Sequence, residues 1–227
     1  GSDEQVIAIL DTGVDTEHPD LENKIWTNPG EASGADGVDD DGNGYVDDVN
    51  GWDFINNDAD PADDNSHGTH VAGLAAAEMD NGIGLAGAGG KARIMPIKVL
   101  QSTGRGDAAT IAQGIAYAEQ MGADVLNMSF GSFARSIAIE NALASAYGSA
   151  VLVGAAGNAG VCIGPGLTCA PYFPAALSFV LGVEATAGNG GLAAFSNFDQ
   201  DGPVNSEYVD LLNYEIRAPG VGLTSTV

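Results

Sequence analysis

Short apolar runs alternate with Ala-rich and amphipathic stretches along most of this chain. Gln5–Leu10 (QVIAIL) is continuously apolar, as expected of a strand buried on both faces of a sheet. Ala92–Leu100 (ARIMPIKVL), Ala123–Phe130 (ADVLNMSF), Ser149–Ala156 (SAVLVGAA) and the shorter Ser178–Val183 also read as strands. Between them, Asp107–Gln120 reads as a helix opening on an Asp, and Ser136–Tyr147 as another. A third helix is expected from the Ala-rich run HGTHVAGLAAAEM, with His67 opening it and Asn65 or Ser66 as its N-cap. Gly68 and Gly73 lower helix propensity there, and close approach of another backbone or a ligand is a reason to tolerate them. Residues 15–35 read as loop, and 198–214 as a longer surface excursion. The alternation predicts one α/β domain over 1–227, a doubly wound, mostly parallel sheet with helices on both faces. Gly1 and Ser2 look like a cloning scar.

Charge changes this picture in one segment. The chain carries 31 Asp and Glu against seven Lys and Arg, a formal charge of −24, so a nucleic-acid partner is excluded for want of a basic footprint. A well-solvated or halophilic surface explains much of that charge. Eleven Asp fall within 36–64, however, and no Lys or Arg occurs between Lys24 and Lys91. Counted from Asp39, oxygen side chains stand at the first, third and fifth places (Asp39, Asp41, Asn43). Gly44 is sixth, Tyr45 offers its carbonyl at the seventh and Asp47 is ninth. That is the ligand spacing of a calcium loop. Asn50 replaces the usual twelfth-place Glu and no helical pattern flanks the loop, so Asp48 is expected to complete the shell.

No apolar run reaches membrane-spanning length, so no membrane partner is expected. Cys162 and Cys169 are separated by Gly and Pro, and a disulfide between them closes an eight-residue loop worth about 2.5 kcal/mol. A free or metal-bound pair is the alternative, although two thiols alone do not complete a zinc site. The disulfide reading implies an oxidising compartment.

Three residues suggest chemistry. Asp11 ends the first strand, where ligands collect in a parallel sheet; His67 opens a helix; Asn158 follows a buried strand in GAAGNAG. A carboxylate that orients an imidazole, an imidazole base and an amide donor for an oxyanion are parts of acyl-transfer machinery. The rival reading takes His67 and His70 as a metal pair in a metallohydrolase, without a third ligand nearby in sequence.

At these residues the sequence closely resembles the subtilisin-like serine proteases, the subtilases, and in particular their thermitase-like, calcium-rich secreted members. The matching blocks are AILDTGVD around Asp11, HPDL at 18–21, HGTHVAG at 67–73, KVL at 98–100 and LNMSFGS at 126–132. They continue with GAAGN at 154–158, FSN at 195–197 and APGV at 218–221. The resemblance implies a secreted, calcium-stabilised endopeptidase in which Asp11 orients His67, His67 serves the nucleophilic Ser as base, and Asn158 binds the oxyanion. It implies that Ser129, Phe130 and Gly131 pair with an extended peptide substrate on one side and Gly104, Arg105 and Gly106 on the other. Ala155, Ala156 and Gly157 would line a roomy apolar pocket, and Arg105, a charged departure, would favour acidic side chains.

The resemblance also sorts calcium ligands. Asp20, Asn81 and the carbonyls of Glu78, Ile83 and Leu85 match the family's strong site, without the N-terminal side chain that usually joins it. Asp53, Asn56 and the carbonyls of Asp58 and Asp60 match a second, thermitase-like site, with Asp63 as a further member. The loop at 39–48 would be a third. The family's nucleophile lies in a Gly-Thr-Ser-Met-Ala-type block after Ala-Pro-Gly, and no Ser of this sequence stands in that context. The chain therefore reads as the N-terminal part of an active protease, partnered by a propeptide or by its own C-terminal remainder. A calcium-binding pseudoprotease that kept only the peptide groove is the alternative.

Overall fold

The structure, a computed structural model, describes residues 2–163, 170–199 and 216–227. In chain order it contains β1 (Val6–Asp11), β2 (Trp52–Asp53), α1 (His67–Ala76), β3 (Arg93–Lys98), α2 (Ala108–Gln120), β4 (Val125–Met128) and α3 (Ile137–Ala146). Then come β5 (Val151–Ala155), β6 (Cys162–Ile163), β7 (Leu181–Thr186), β8 (Phe198–Asp199) and β9 (Ile216–Pro219). Seven strands form one parallel sheet in the order β2-β3-β1-β4-β5-β7-β9, and β6 pairs with β8 apart from it. The sheet is the doubly wound arrangement expected from the alternation of elements.

The pleat of β1 decides what each helix covers. Successive side chains of a strand point to opposite faces. Ala8 and Leu10 join the core that holds Ile111 and Ile115 of α2 and Leu143 of α3. Ile9 joins a second core with Ala72 and Ala76 of α1. By the same alternation Asp11 belongs to the α1 face. The chain starts in the middle of the sheet, adds β3 on one side of β1, then crosses back to add β4 on the other. The reversal puts the carboxyl end of β1 at the switch point of the sheet, where such folds bind ligands.

Several elements depart from the sequence reading. Helix α1 stops at Ala76 rather than continuing to Met79. Ala77 leaves helical geometry, Glu78 N–H donates to the Asp20 carbonyl, and the Ala77 carbonyl accepts from Gly87 N–H. Residues 15–35 include a short 3-10 helix at Glu22–Lys24. β2 is too short to leave a period in the sequence, and β9 was not anticipated because its residues are largely exposed. Most of the excursion expected at 198–214 lies outside the described residues, as does Cys169, the partner expected for Cys162. Among the described residues no helix is long and apolar enough to cross a membrane.

Candidate active site

Asp11 is fully buried, and its Oδ1 lies 2.7 Å from His67 Nδ1 while accepting from the Thr12 amide at 2.7 Å. Its Oδ2 is buried with no hydrogen-bond partner among the described residues. The His67 side chain is 49% exposed, and Nε2 has no partner among the described residues. The hydrogen bond to Asp11 raises the His67 pKa above 6.5; burial opposes the shift, and the charges of Asp11 and Asp63 add to it. A buried carboxylate that fixes Nδ1–H leaves Nε2 as the basic atom on the open side.

The first turn of α1 is held by partners other than those expected. Ser66 occupies the N-cap in a left-handed conformation (φ 78°) and makes no side-chain cap. Asp63 replaces it: Oδ2 accepts from the Thr69 amide at 2.9 Å and hydroxyl at 2.6 Å, and Oδ1 from the Asn65 and Ser66 amides. Thr12 Oγ1 donates to Asp63 Oδ1 and accepts from Gly68 N–H at 3.0 Å. A β1-end residue thus caps the helix that carries His67. Burial pushes the Asp63 carboxyl up, but the bonds from Thr69, Asn65 and Thr12 together hold it below the usual carboxylate value. Asp63 thereby has a structural task at the start of α1. Gly68 and Gly73 are explained by close approach: a Cβ on Gly68 would lie 2.0 Å from the Gly13 carbonyl oxygen, and one on Gly73 2.2 Å from Thr226 Oγ1. Beneath the turn, Lys98 is buried and its Nζ donates to the Thr12 and Leu100 carbonyls and to Asp64.

Asn158 is exposed after β5 and lines a cavity of about 380 Å³ with Ser129, Ala155, Ala156 and Gly157. Val71, Leu74 and Ala75 of α1 form its opposite wall. Gly104, Arg105, Gly106, Phe130 and Gly131 border a second cavity, so the Ser129–Gly131 segment runs between the two. The oxyanion candidate and Ser129 therefore line one cavity, and the Gly104–Gly106 and Phe130–Gly131 segments line the other. A residue missed from sequence holds part of the first. Asn197 is fully buried; Nδ2 donates to the Ala156 carbonyl at 2.9 Å, and Oδ1 accepts from the Ala159 and Val161 amides, straddling Asn158. Its only signal was membership of the FSN block, which gives no contact partner.

The suggested calcium residues fall in three places. Oxygens of Glu31, Asp39 and Asp41 come within 4.8 Å of one another, a hard-oxygen cluster that fits a divalent cation. Glu31 was not legible, since it precedes the loop and joins it only in the fold. Asn43 Oδ1 accepts from Tyr45 N–H, and Asp47 turns both oxygens to the Gly37 amide. Asp48 is buried, accepting from Asn28, Asn43 and Tyr117; burial raises its carboxyl pKa against those bonds. Asp20 accepts from Asn81 Nδ2 and the Leu85 amide, which brings the first family-derived set together. Asp53 accepts from the Ile55 and Asn56 amides and from Asn56 Nδ2, and an antiparallel bridge joins it to Asp58. Asp60 N–H donates to Asp58 Oδ1.

The "Thermophilic serine proteinase" of Bacillus sp. (strain AK1) is 37% identical over the whole of this chain, which corresponds to 46% of that protein. Thermitase of Thermoactinomyces vulgaris is 37% identical over 85% of the chain and 58% of its own length. The chain thus spans about half the length of the curated relatives it matches. The crystal structure of a cold adapted subtilisin-like serine proteinase superposes with a TM-score of 0.72 over 98% of this chain and 65% of that one, at 24% identity, a likeness of fold. With a buried acid at the switch point meeting the histidine of the next helix, and with residues 2–227 matching the Peptidase S8 profile, this chain belongs to the subtilase family.

Proposed function

We propose that the chain is the N-terminal part of a secreted serine endopeptidase, stabilised by calcium, whose nucleophile comes from a segment beyond Val227. The 2.7 Å contact between buried Asp11 and half-exposed His67 carries this reading. In it, His67 Nε2 takes the proton of the attacking Ser hydroxyl and delivers it to the leaving amine. Asp11 keeps Nδ1 protonated and stabilises the imidazolium. Asn158 donates to the tetrahedral oxyanion, and the Gly104–Gly106 and Ser129–Gly131 edges hold the peptide extended. The cavity between α1 and β5 supports a seat for the nucleophile-bearing segment. Ser225 and Thr226 already bond the His70 and Thr69 carbonyls, so the chain is led to the first turns of α1. A bound calcium ion would supply charge neutralisation to the acidic loops, held by Glu31, Asp39 and Asp41 and by the Asp20 and Asp53 sets.

The test is a fluorophosphonate probe on the complete protein. Labelling at one Ser, abolished by His67→Ala, is the expected result. Absence of labelling in a folded, calcium-loaded protein would favour a pseudoprotease that kept the groove, and sensitivity to zinc chelators alone would favour the His67–His70 metal reading.

A further inference from the structure

The second cavity, about 610 Å³, has walls of Leu100, Ile111, Phe130, Ile139, Phe173 and Leu177. Three charged residues also line it: Arg105, Arg135 and Glu140. Arg135 and Glu140 form a two-point pair, Nε to Oε2 at 2.7 Å and Nη2 to Oε1 at 2.6 Å, with the guanidinium 6.0 Å from the Phe173 ring centroid. Each neutralises the other. Arg105 is different. It is exposed and has no ion-pair partner among the described residues, although the chain holds more than four acids for every base. The nearest acid in sequence, Asp107, is occupied by the cap of α2, accepting from the Ala109 and Thr110 amides and the Thr110 hydroxyl. The lining charge is therefore +1 for Arg105, +1 for Arg135 and −1 for Glu140, a net +1 within a chain of −24.

We propose that this cavity is a subsite that selects a carboxylate-bearing side chain of the bound peptide, with Arg105 as the specificity-determining residue. The inference rests on the groove assigned above under the proposed function. In an extended peptide alternate side chains face the same way, so one of them enters the cavity when the backbone lies between the two edges. The methylenes of a Glu pack on the apolar wall while its carboxylate meets the free guanidinium, a geometry that Arg matches with two parallel hydrogen bonds. Glu140 does not repel the carboxylate, because Arg135 already holds both of its oxygens. A Lys in the same place would face an unpaired Arg.

The test uses the complete protein carrying His67→Ala, which blocks hydrolysis and leaves the groove. Short fluorescein-tagged peptide amides, with Glu, Gln, Leu or Lys walked through each position, are titrated by anisotropy. At one position Glu should bind about three- to fivefold tighter than Gln, the size of an exposed charge pair, and Lys should bind worst. Arg105→Gln should abolish that preference, bringing Glu and Gln peptides to equal affinity, and high salt should shrink it. Equal binding of Glu and Gln everywhere would overturn the selection yet leave the groove standing. No binding by any peptide would overturn both the subsite and the groove, while the fluorophosphonate result decides the chemistry separately. A Glu preference that survives Arg105→Gln would also sink the assignment.

Discussion

The His67 imidazole is governed mainly by Asp11, with a smaller contribution from Asp63. The Asp11 hydrogen bond holds its folded pKa above the ordinary 6.5, so the pair's contribution to stability is complete below 6.5 and is lost as pH rises through the folded value. The neutral imidazole that the proposed proton abstraction requires forms over that same rise. Asp11→Asn should move the His67 NMR titration midpoint downward and leave the wrong nitrogen protonated. An unchanged midpoint would mean that Asp11 does not control the ring. Asp11 and His67 were legible because each stands at an element boundary that the local pattern marks. Asn197 was not, since its clamp on the Asn158 loop joins residues about 40 apart in sequence. Asn197→Leu should cost about 1–3 kcal/mol by stranding buried amides, and in the complete enzyme it should lower kcat more than it raises KM. Equal kcat in a stably folded variant would remove Asn197 from the positioning of Asn158.

At the scale of the element, the first turn of α1 is fastened to the end of β1. Thr12 and Asp63 share its first amides, and Gly68 lets it approach Gly13. Gly68→Ala places a methyl 2.0 Å from a backbone oxygen that has no rotamer to escape into, so the helix must move. The expected outcome is a lowered Tm together with a weakened Asp11–His67 contact, read as a fall in the His67 midpoint toward 6.5. Asp63→Ala should cost about 0.5–2 kcal/mol as a lost cap. Because the Asp63 pKa is depressed in the fold, that contribution is present above the ordinary carboxylate value and is lost as pH falls through the folded one. The sequence announced a helix start and two unusual glycines. It placed the N-cap at Asn65 or at the right residue, Ser66, but did not name the side chain that bonds the first amides, because a Ser adjacent to the helix looks the same in sequence whether its backbone is extended or, as here, left-handed.

For the whole molecule the balance of charge is decisive. The sheet was readable from apolar runs for its longer strands, whereas β2 and β9 depend on neighbours for their pairing. The acidic 36–64 segment suggests a cation site from sequence, and tertiary contact adds Glu31 to Asp39 and Asp41. Glu31 is buried, with Oε1 accepting from the Asp40 and Asp41 amides and Oε2 from the Asp47 amide. Its carboxylate draws Asp39 and Asp41 into a cluster whose mutual repulsion a divalent ion would relieve. An ion that binds only the folded state stabilises it by mass action, about 2.7 kcal/mol at 100 times its Kd. Calcium should therefore raise Tm, and magnesium, which resists dehydration, should raise it less. Glu31→Gln removes one ligand charge and also one of the two acceptors, because its NH2 group then faces backbone amides. Calorimetric titration should show weakened calcium binding for this variant, with a Tm somewhat lowered even in the presence of chelator. Calcium affinity unchanged by Glu31→Gln would move the stabilising ion to the Asp20 or Asp53 sets and leave the acidic loop a solvated surface.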